Sequence, residues 1–168
     1  MYCGDPDVGD LKLLDYQVTV GSTGITFVAA LNGTIDCDGL ACISQVQIDW
    51  TYHRAASQLA FMGLVRGDIF GFMRQSIPLT VDQAATLVGY TSADVIGWED
   101  LSTPIPVAAW QGMADYCCRL DHRPGVTTAT ALHPNFRPRL IRIKPDVPSP
   151  TSPPWCFIHY CYCPSDCC

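Results

Sequence analysis

The sequence has no apolar run approaching the ~20 residues that a membrane-spanning helix needs. Its longest apolar stretches, Ile25 to Leu31 and Leu59 to Val65, fall far short of that length. The opening residues Met1-Tyr2-Cys3-Gly4-Asp5-Pro6-Asp7 have neither the basic start nor the apolar core of a secretion signal, which predicts synthesis and initial retention in a cytosol. No nucleophile elbow, phosphate loop or dinucleotide-binding glycine pattern is present. Gly21-Ser22-Thr23-Gly24 is too short for a phosphate loop and lacks its lysine. The four histidines, His53, His122, His133 and His159, are scattered and read as surface or packing residues. The expectation is a protein that is not an enzyme and carries no cofactor.

Charge is also scarce, at 15% of 168 residues against 48% apolar. Such a chain buries a core and divides into one or two small domains rather than remaining a disordered polymer. The net charge of −6 is unevenly distributed. Between 67 and 118, Asp68, Asp82, Asp94, Glu99, Asp100 and Asp115 face the single Arg74, whereas residues 123–144 hold Arg123, Arg137, Arg139, Arg142 and Lys144 and no acid. The chain is an acidic body with a basic arm, and an acidic protein surface is the expected partner of Arg137, Arg139, Arg142 and Lys144.

What is abundant is cysteine. Cys3, Cys37, Cys42, Cys117, Cys118, Cys156, Cys161, Cys163, Cys167 and Cys168 would form a disulfide framework in a secreted protein and metal or redox sites in a cytosolic one. A protein assembled in the cytosol and later released into an oxidising exterior, as virion proteins are at host lysis, reconciles the two. Cys37 and Cys42 flank Asp38-Gly39-Leu40-Ala41 and can close a local loop or reach a neighbour. Cys156, His159, Cys161, Cys163, Cys167 and Cys168 supply enough ligands for tetrahedral zinc. No paired Cys-x-x-Cys knuckle occurs, however, and vicinal Cys167-Cys168 cannot easily share one ion, so no metal site is assigned. Vicinal Cys117-Cys118, at a helix end, reads as a node joining one chain to two others.

Along the chain, Leu13 to Val20 and Ile25 to Leu31 are strand-like runs about a Gly-Ser-Thr-Gly turn, and Asn32-Gly33 adds a second turn signal. Ile43 to Tyr52 alternates apolar and polar residues, which predicts a half-buried third strand. Residues 1–53 are therefore assigned to a small antiparallel sheet, 54–122 to a helical domain, and 123–168 to an extended arm. In the helical part, Ala56, Leu59, Ala60 and Gly63 share a face, and Asp68 to Gln75 forms a second short helix ended before Pro78, with Phe70 and Phe72 in the core. Pro124 to Pro154 holds eight of the thirteen prolines, which excludes long helices. The tail Trp155 to Cys168 is rich in aromatics and cysteine. The fold class expected is α+β: a small N-terminal antiparallel sheet, a helix-turn-helix-like domain, and a Pro/Cys-rich arm.

Within 78–99, Thr80 with Gln83 forms a capping box, Ala85 permits close helix approach, Gly89 takes a tight turn, and Thr91 caps the next helix. Leu87, Val88, Val95 and Trp98 supply a shared core, and Pro104-Ile105-Pro106 leads into a final amphipathic helix from Val107 to Cys117. This spacing, with Ala85, Gly89, Val95 and Trp98 as its core, resembles the phage-repressor type of helix-turn-helix over residues 64–122. In DNA-binding members of that family the third helix offers donors to base edges. Here Thr91 to Glu99 contains no Lys, Arg, Asn or Gln, and six acids against one base repel a phosphate backbone.

In its cysteine usage and lack of a leader, the chain also resembles components of tailed-phage particles that are cross-linked through capsid, neck and tail. That likeness implies a non-enzymatic structural protein located in the virion. It would be stapled by disulfides to other virion proteins in a symmetric assembly, with no membrane contact and no DNA contact through the helix-turn-helix. The alternative is a helix-turn-helix transcription regulator whose cysteines bind metal or sense oxidants.

Overall fold

A first hairpin organises the N-terminal part of the fold. The computed structural model describes residues 12–35, 41–121, 130–131 and 140–143. Strands β1 (Lys12–Val20) and β2 (Ile25–Ile35) pair antiparallel from Lys12↔Gly33 to Val20↔Ile25. Their turn needs left-handed backbone at both ends, and glycine supplies it: Gly21 has φ 44° and Gly24 has φ 72°. Thr23 locks the turn, donating its hydroxyl to Val20 O at 2.6 Å and accepting from Ile25 N at 3.1 Å. Alternation on β1 sends Val18 and Val20 inward and Gln17 and Thr19 to solvent.

The second edge of β2 is shared by two strands. β3 (Ala41–Ile43) pairs antiparallel with Gly33–Ile35, while β6 (Leu140–Ile143) pairs parallel with Thr26–Ala29. The N-terminal strands are antiparallel, as expected, and the sheet becomes mixed only where β6 joins it. A parallel strand requires a long crossover, and here the helical region intervenes before residues 140–143 of the basic arm return. Asn32-Gly33 is likewise not a turn. β2 runs through it to Ile35, and Gly33 is needed because a Cβ there would lie 2.6 Å from Leu14 Cδ1 and 2.8 Å from Cys42 O.

Helix α1 (Gln45–Met62) replaces the third strand expected over 43–52. Ser44 caps it by accepting from Gln47 N, and Gly63 ends it in the left-handed region at φ 66°. The period-two pattern is short and ambiguous, whereas Ile48, Tyr52, Ala55, Ala56 and Leu59 fit one helical face continuous with the helix already predicted from 54. Extending an existing helix avoids the cost of a new nucleus. Val46, which alternation would bury, is 74% exposed.

Four helices follow: α2 (Gly67–Ser76), α3 (Val81–Val88), α4 (Ser92–Glu99) and α5 (Val107–Leu120). A two-residue strand β4 (Leu64–Val65), between α1 and α2, pairs parallel with β5 (Thr130–Ala131). The class is α+β, with one core running from the sheet into the helices through Phe27, Leu59, Phe70, Met73, Trp98 and Trp110. Helix α5 presents Ala109, Trp110, Met113, Ala114, Cys117 and Cys118 as a buried stripe, and Arg54 of α1 meets Asp121 just beyond it at 2.8 Å. Among the described residues no helix is long and apolar enough to cross a membrane.

Candidate functional site

The α3–α4 pair is built from local sequence signals. Thr80 Oγ1 accepts from Gln83 N at 3.2 Å while Gln83 Oε1 accepts from Thr80 N at 2.8 Å. The same reciprocal device starts α4, where Thr91 Oγ1 accepts from Asp94 N at 3.2 Å and Asp94 Oδ2 accepts from Thr91 N at 3.0 Å. Between them Gly89 stands at φ 78°, and its N–H reaches Ala85 O at 2.9 Å. Ser92 also donates its hydroxyl to the Asp82 carboxylate, tying the start of α4 to the start of α3.

Packing follows from the same spacing. Ala85, Val95 and Trp98 are buried, Leu87 and Val88 are half-buried against the core, and Gly89 is exposed at the turn. The Trp98 ring lies edge-on to Phe70 at 5.6 Å and to Tyr90 at 5.1 Å. Gly67 lets α2 approach α4 closely, since a Cβ there would be 1.8 Å from Trp98 O. Arg74 of α2 grips Glu99 at the end of α4.

Burying Val95 and Trp98 turns Ala93, Asp94 and Ile96 outward. The result is an anionic face with one large exposed apolar side chain, Ile96. Hydrogen bonds from Thr91, its hydroxyl first and then its amide, hold the Asp94 carboxyl below the usual carboxylate value. Ser102 does the same for Asp100, again through its side chain first and then its amide. Both groups are therefore charged at neutral pH. Arg74, the single cation of residues 67–118, is held by Glu99 and by Leu79 O. The described α4 face therefore carries negative charge with no cation beside it in residues 67–118 other than the engaged Arg74.

The remaining sequence-predicted residues fall elsewhere. Arg142 is exposed on β6, and Cys42 is half-buried on β3. Cys117 and Cys118 are 2% and 1% exposed, which corrects their assignment as a node reaching two neighbours. They occupy the inner stripe of α5 and pack as small apolar groups. Burial and the neighbouring Cys118 push the Cys117 thiol up to about 12, and an unionised thiol is a poor nucleophile. Cys3, Cys37, Cys156, Cys161, Cys163, Cys167, Cys168, Arg137, Arg139 and Lys144 lie outside the described residues.

Sequence reasoning missed the ionic ties between elements. Arg66 donates to Ser22 at 2.5 Å and pairs with Asp68 at 2.8 Å, and Ser22 donates to Asp68 at 3.0 Å, so the β1–β2 turn is bound to the start of α2. Ser22 lies more than forty positions from Arg66 and Asp68, and no local pattern announces the cluster. A shallow groove of about 390 Å³ runs beside this cluster, lined by Val65, Arg66, Leu101, Thr103 and Ile105 among others. Leu101 adopts a left-handed φ of 62° there. Arg66 is committed to its two partners, and the groove holds no second titratable group for acid–base chemistry. Among the described residues no three His, Cys, Asp or Glu side chains converge as a metal site.

A scan against protein-family models finds no match to this chain, and searches of curated proteins and of solved structures likewise return none.

Proposed function

We propose that the protein is a non-enzymatic structural subunit of a tailed-phage particle, in which an α3–α4 pair of the phage-repressor helix-turn-helix type serves as packing material rather than as a DNA reader. The observation that carries the reading is the charge of α4. Its outward face bears Asp94, its end is followed by Asp100, both are held ionised, and Arg74, the single arginine of residues 67–118, is consumed within the fold. A regulator of this architecture needs the opposite sign on that helix. The cysteines other than the buried Cys117 and Cys118 supply the second element, covalent joints formed in an oxidising exterior.

Non-reducing electrophoresis of the native particle, beside a reduced sample, tests the covalent part. Ladders that collapse on reduction to a band at 18.4 kDa are expected, and a single band unchanged by reductant refutes it. Titration of the purified chain with random duplex DNA at low salt tests the rival regulator. No binding is expected, and tight association lost on Ser92→Ala or Ile96→Asp would restore the regulator reading.

A further inference from the structure

The strand β6 is an unusual member of its sheet. It arrives from the basic, acid-free segment 123–144 and lies parallel to β2 over four residues, Thr26↔Leu140 through Ala29↔Ile143. Its side chains alternate between exposed and half-buried, with Leu140 63% exposed. The β2 segment that it covers is the opposite case, because Phe27 and Ala29 are fully buried and Val28 is 4% exposed. Backbone groups at the edge of so buried a segment must find hydrogen-bond partners, and β3 cannot provide them because it pairs only with Gly33–Ile35. The Thr26–Ala29 edge is thus a slot that requires a strand, and Ile141 and Ile143 are the two side chains that the incoming strand packs against the core.

Nothing in that geometry requires the strand to come from the same chain. The contact is an edge ladder, and its nearest preceding described anchor is Ala131 of β5, nine residues before Leu140. Such a tether spans up to about 30 Å. An exchanged strand reproduces every contact of the resident one, so the exchange costs little beyond the entropy of association. The cationic arm and the anionic body of a neighbouring copy also attract each other on approach.

We infer that the Thr26–Ala29 edge of β2 is a strand-accepting site whose ligand in an assembly is the 140–143 strand of a second copy of this chain. The contact is non-covalent and does not depend on the cysteine joints of the proposed function. An experiment in reductant therefore separates the two readings.

Full-length chains carrying two different affinity tags are mixed at high concentration in reductant, purified through one tag, and assayed for the other. Wild-type copies are expected to co-purify in species of at least twice 18.4 kDa. Ile141→Asp with Ile143→Asp in both copies should abolish recovery of the second tag, whereas the same pair in one copy should leave it recoverable, since the altered copy still accepts. Absence of wild-type co-purification overturns the inference, and so does co-purification indifferent to the double change in both copies. If the double variant loses its tryptophan emission signature and has not folded, a ten-residue Gly/Ser insertion between Ala131 and Leu140 decides. It changes none of the described residues and favours self-closure, so recovery should fall several-fold. Unchanged recovery overturns the inference.

Discussion

Arg74 and Glu99 form a two-pronged ion pair, Nε to Oε1 at 2.6 Å and Nη2 to Oε2 at 2.8 Å, that ties α2 to the last turn of α4. Arg74 Nη1 also donates to Leu79 O at 2.8 Å, so one guanidinium fixes the entry to α3 as well. Both side chains are mostly shielded, at 13% and 17% exposure, and removing one partner strands the other. Glu99→Gln should cost roughly 2 kcal/mol and Arg74→Ala roughly 3 kcal/mol, the larger because a carbonyl also loses its donor. Urea unfolding followed by tryptophan fluorescence measures both. Equal costs below about 0.5 kcal/mol would show the pair to behave as a surface bridge.

Three glycines should answer very differently to alanine. Gly67→Ala places a Cβ 1.8 Å from Trp98 O, a backbone atom that cannot rotate away. It should cost more than about 3 kcal/mol or prevent folding. Gly89→Ala meets nothing within 4 Å but keeps a φ of +78°, for a cost of about 1 kcal/mol. Gly112→Ala, at an ordinary helical position with its nearest neighbour, Val88 Cγ1, at 3.4 Å, should be neutral or stabilising by up to about 1 kcal/mol. Thermal unfolding midpoints should rank Gly67→Ala lowest, then Gly89→Ala, then Gly112→Ala. Any other order contradicts the helix packing described here.

The parts of this fold that were legible in the sequence are those whose causes are local. The capping box at Thr80, the cap at Thr91, the Gly89 turn, the Gly-Ser-Thr-Gly turn of the first hairpin and the bounds of α2 all depend on residues within four positions of one another. The strand expected over 43–52 failed because Ile48 and Tyr52, which fit period two, also fit one helical face with Ala55, Ala56 and Leu59, and the packing of those following turns decides. Ser44→Ala, which removes the cap, should cost about 1 kcal/mol, an effect that a strand at this position would not show. The parallel placement of β6 and the Arg66, Ser22 and Asp68 cluster join residues more than forty positions apart. Burial of Cys117 and Cys118 was misjudged because vicinal thiols in a cysteine-rich chain looked like joints, while the spacing of Cys117 from Ala109 and Met113, and of Cys118 from Trp110 and Ala114, already put them on the inner stripe.

Acid should loosen the α3–α4 pair through Asp94. The carboxyl is held below its ordinary value of 3.8 by the Thr91 hydroxyl and then by the Thr91 amide, so its folded value lies below its unfolded one. The stabilisation is complete above the unfolded value and disappears as pH falls through the folded one. Urea midpoints recorded from pH 6 to pH 2.5 should therefore decline more steeply below about pH 4 for wild type than for Asp94→Asn. Parallel curves would show that the capping carboxylate is not coupled to folding.

Cys117 should be silent to alkylation in the native protein. Its thiol is 2% exposed and pushed up to about 12, so at pH 8 both access and thiolate are lacking. In the unfolded chain its value returns to the ordinary 9.0, where roughly a tenth of the thiol is ionised at pH 8. Iodoacetamide labelling in reductant-treated protein, mapped by peptide mass, should modify Cys117 only when denaturant is present, at a rate that tracks unfolding. Ile69→Ala, which opens the same core, should raise the native labelling rate in proportion to the stability it removes, about 2–4 kcal/mol, or ~30-fold or more. Fast labelling of wild-type Cys117 without denaturant would mean that the inner face of α5 is open to solvent, and the joint-forming role given to this cysteine by the sequence would then return.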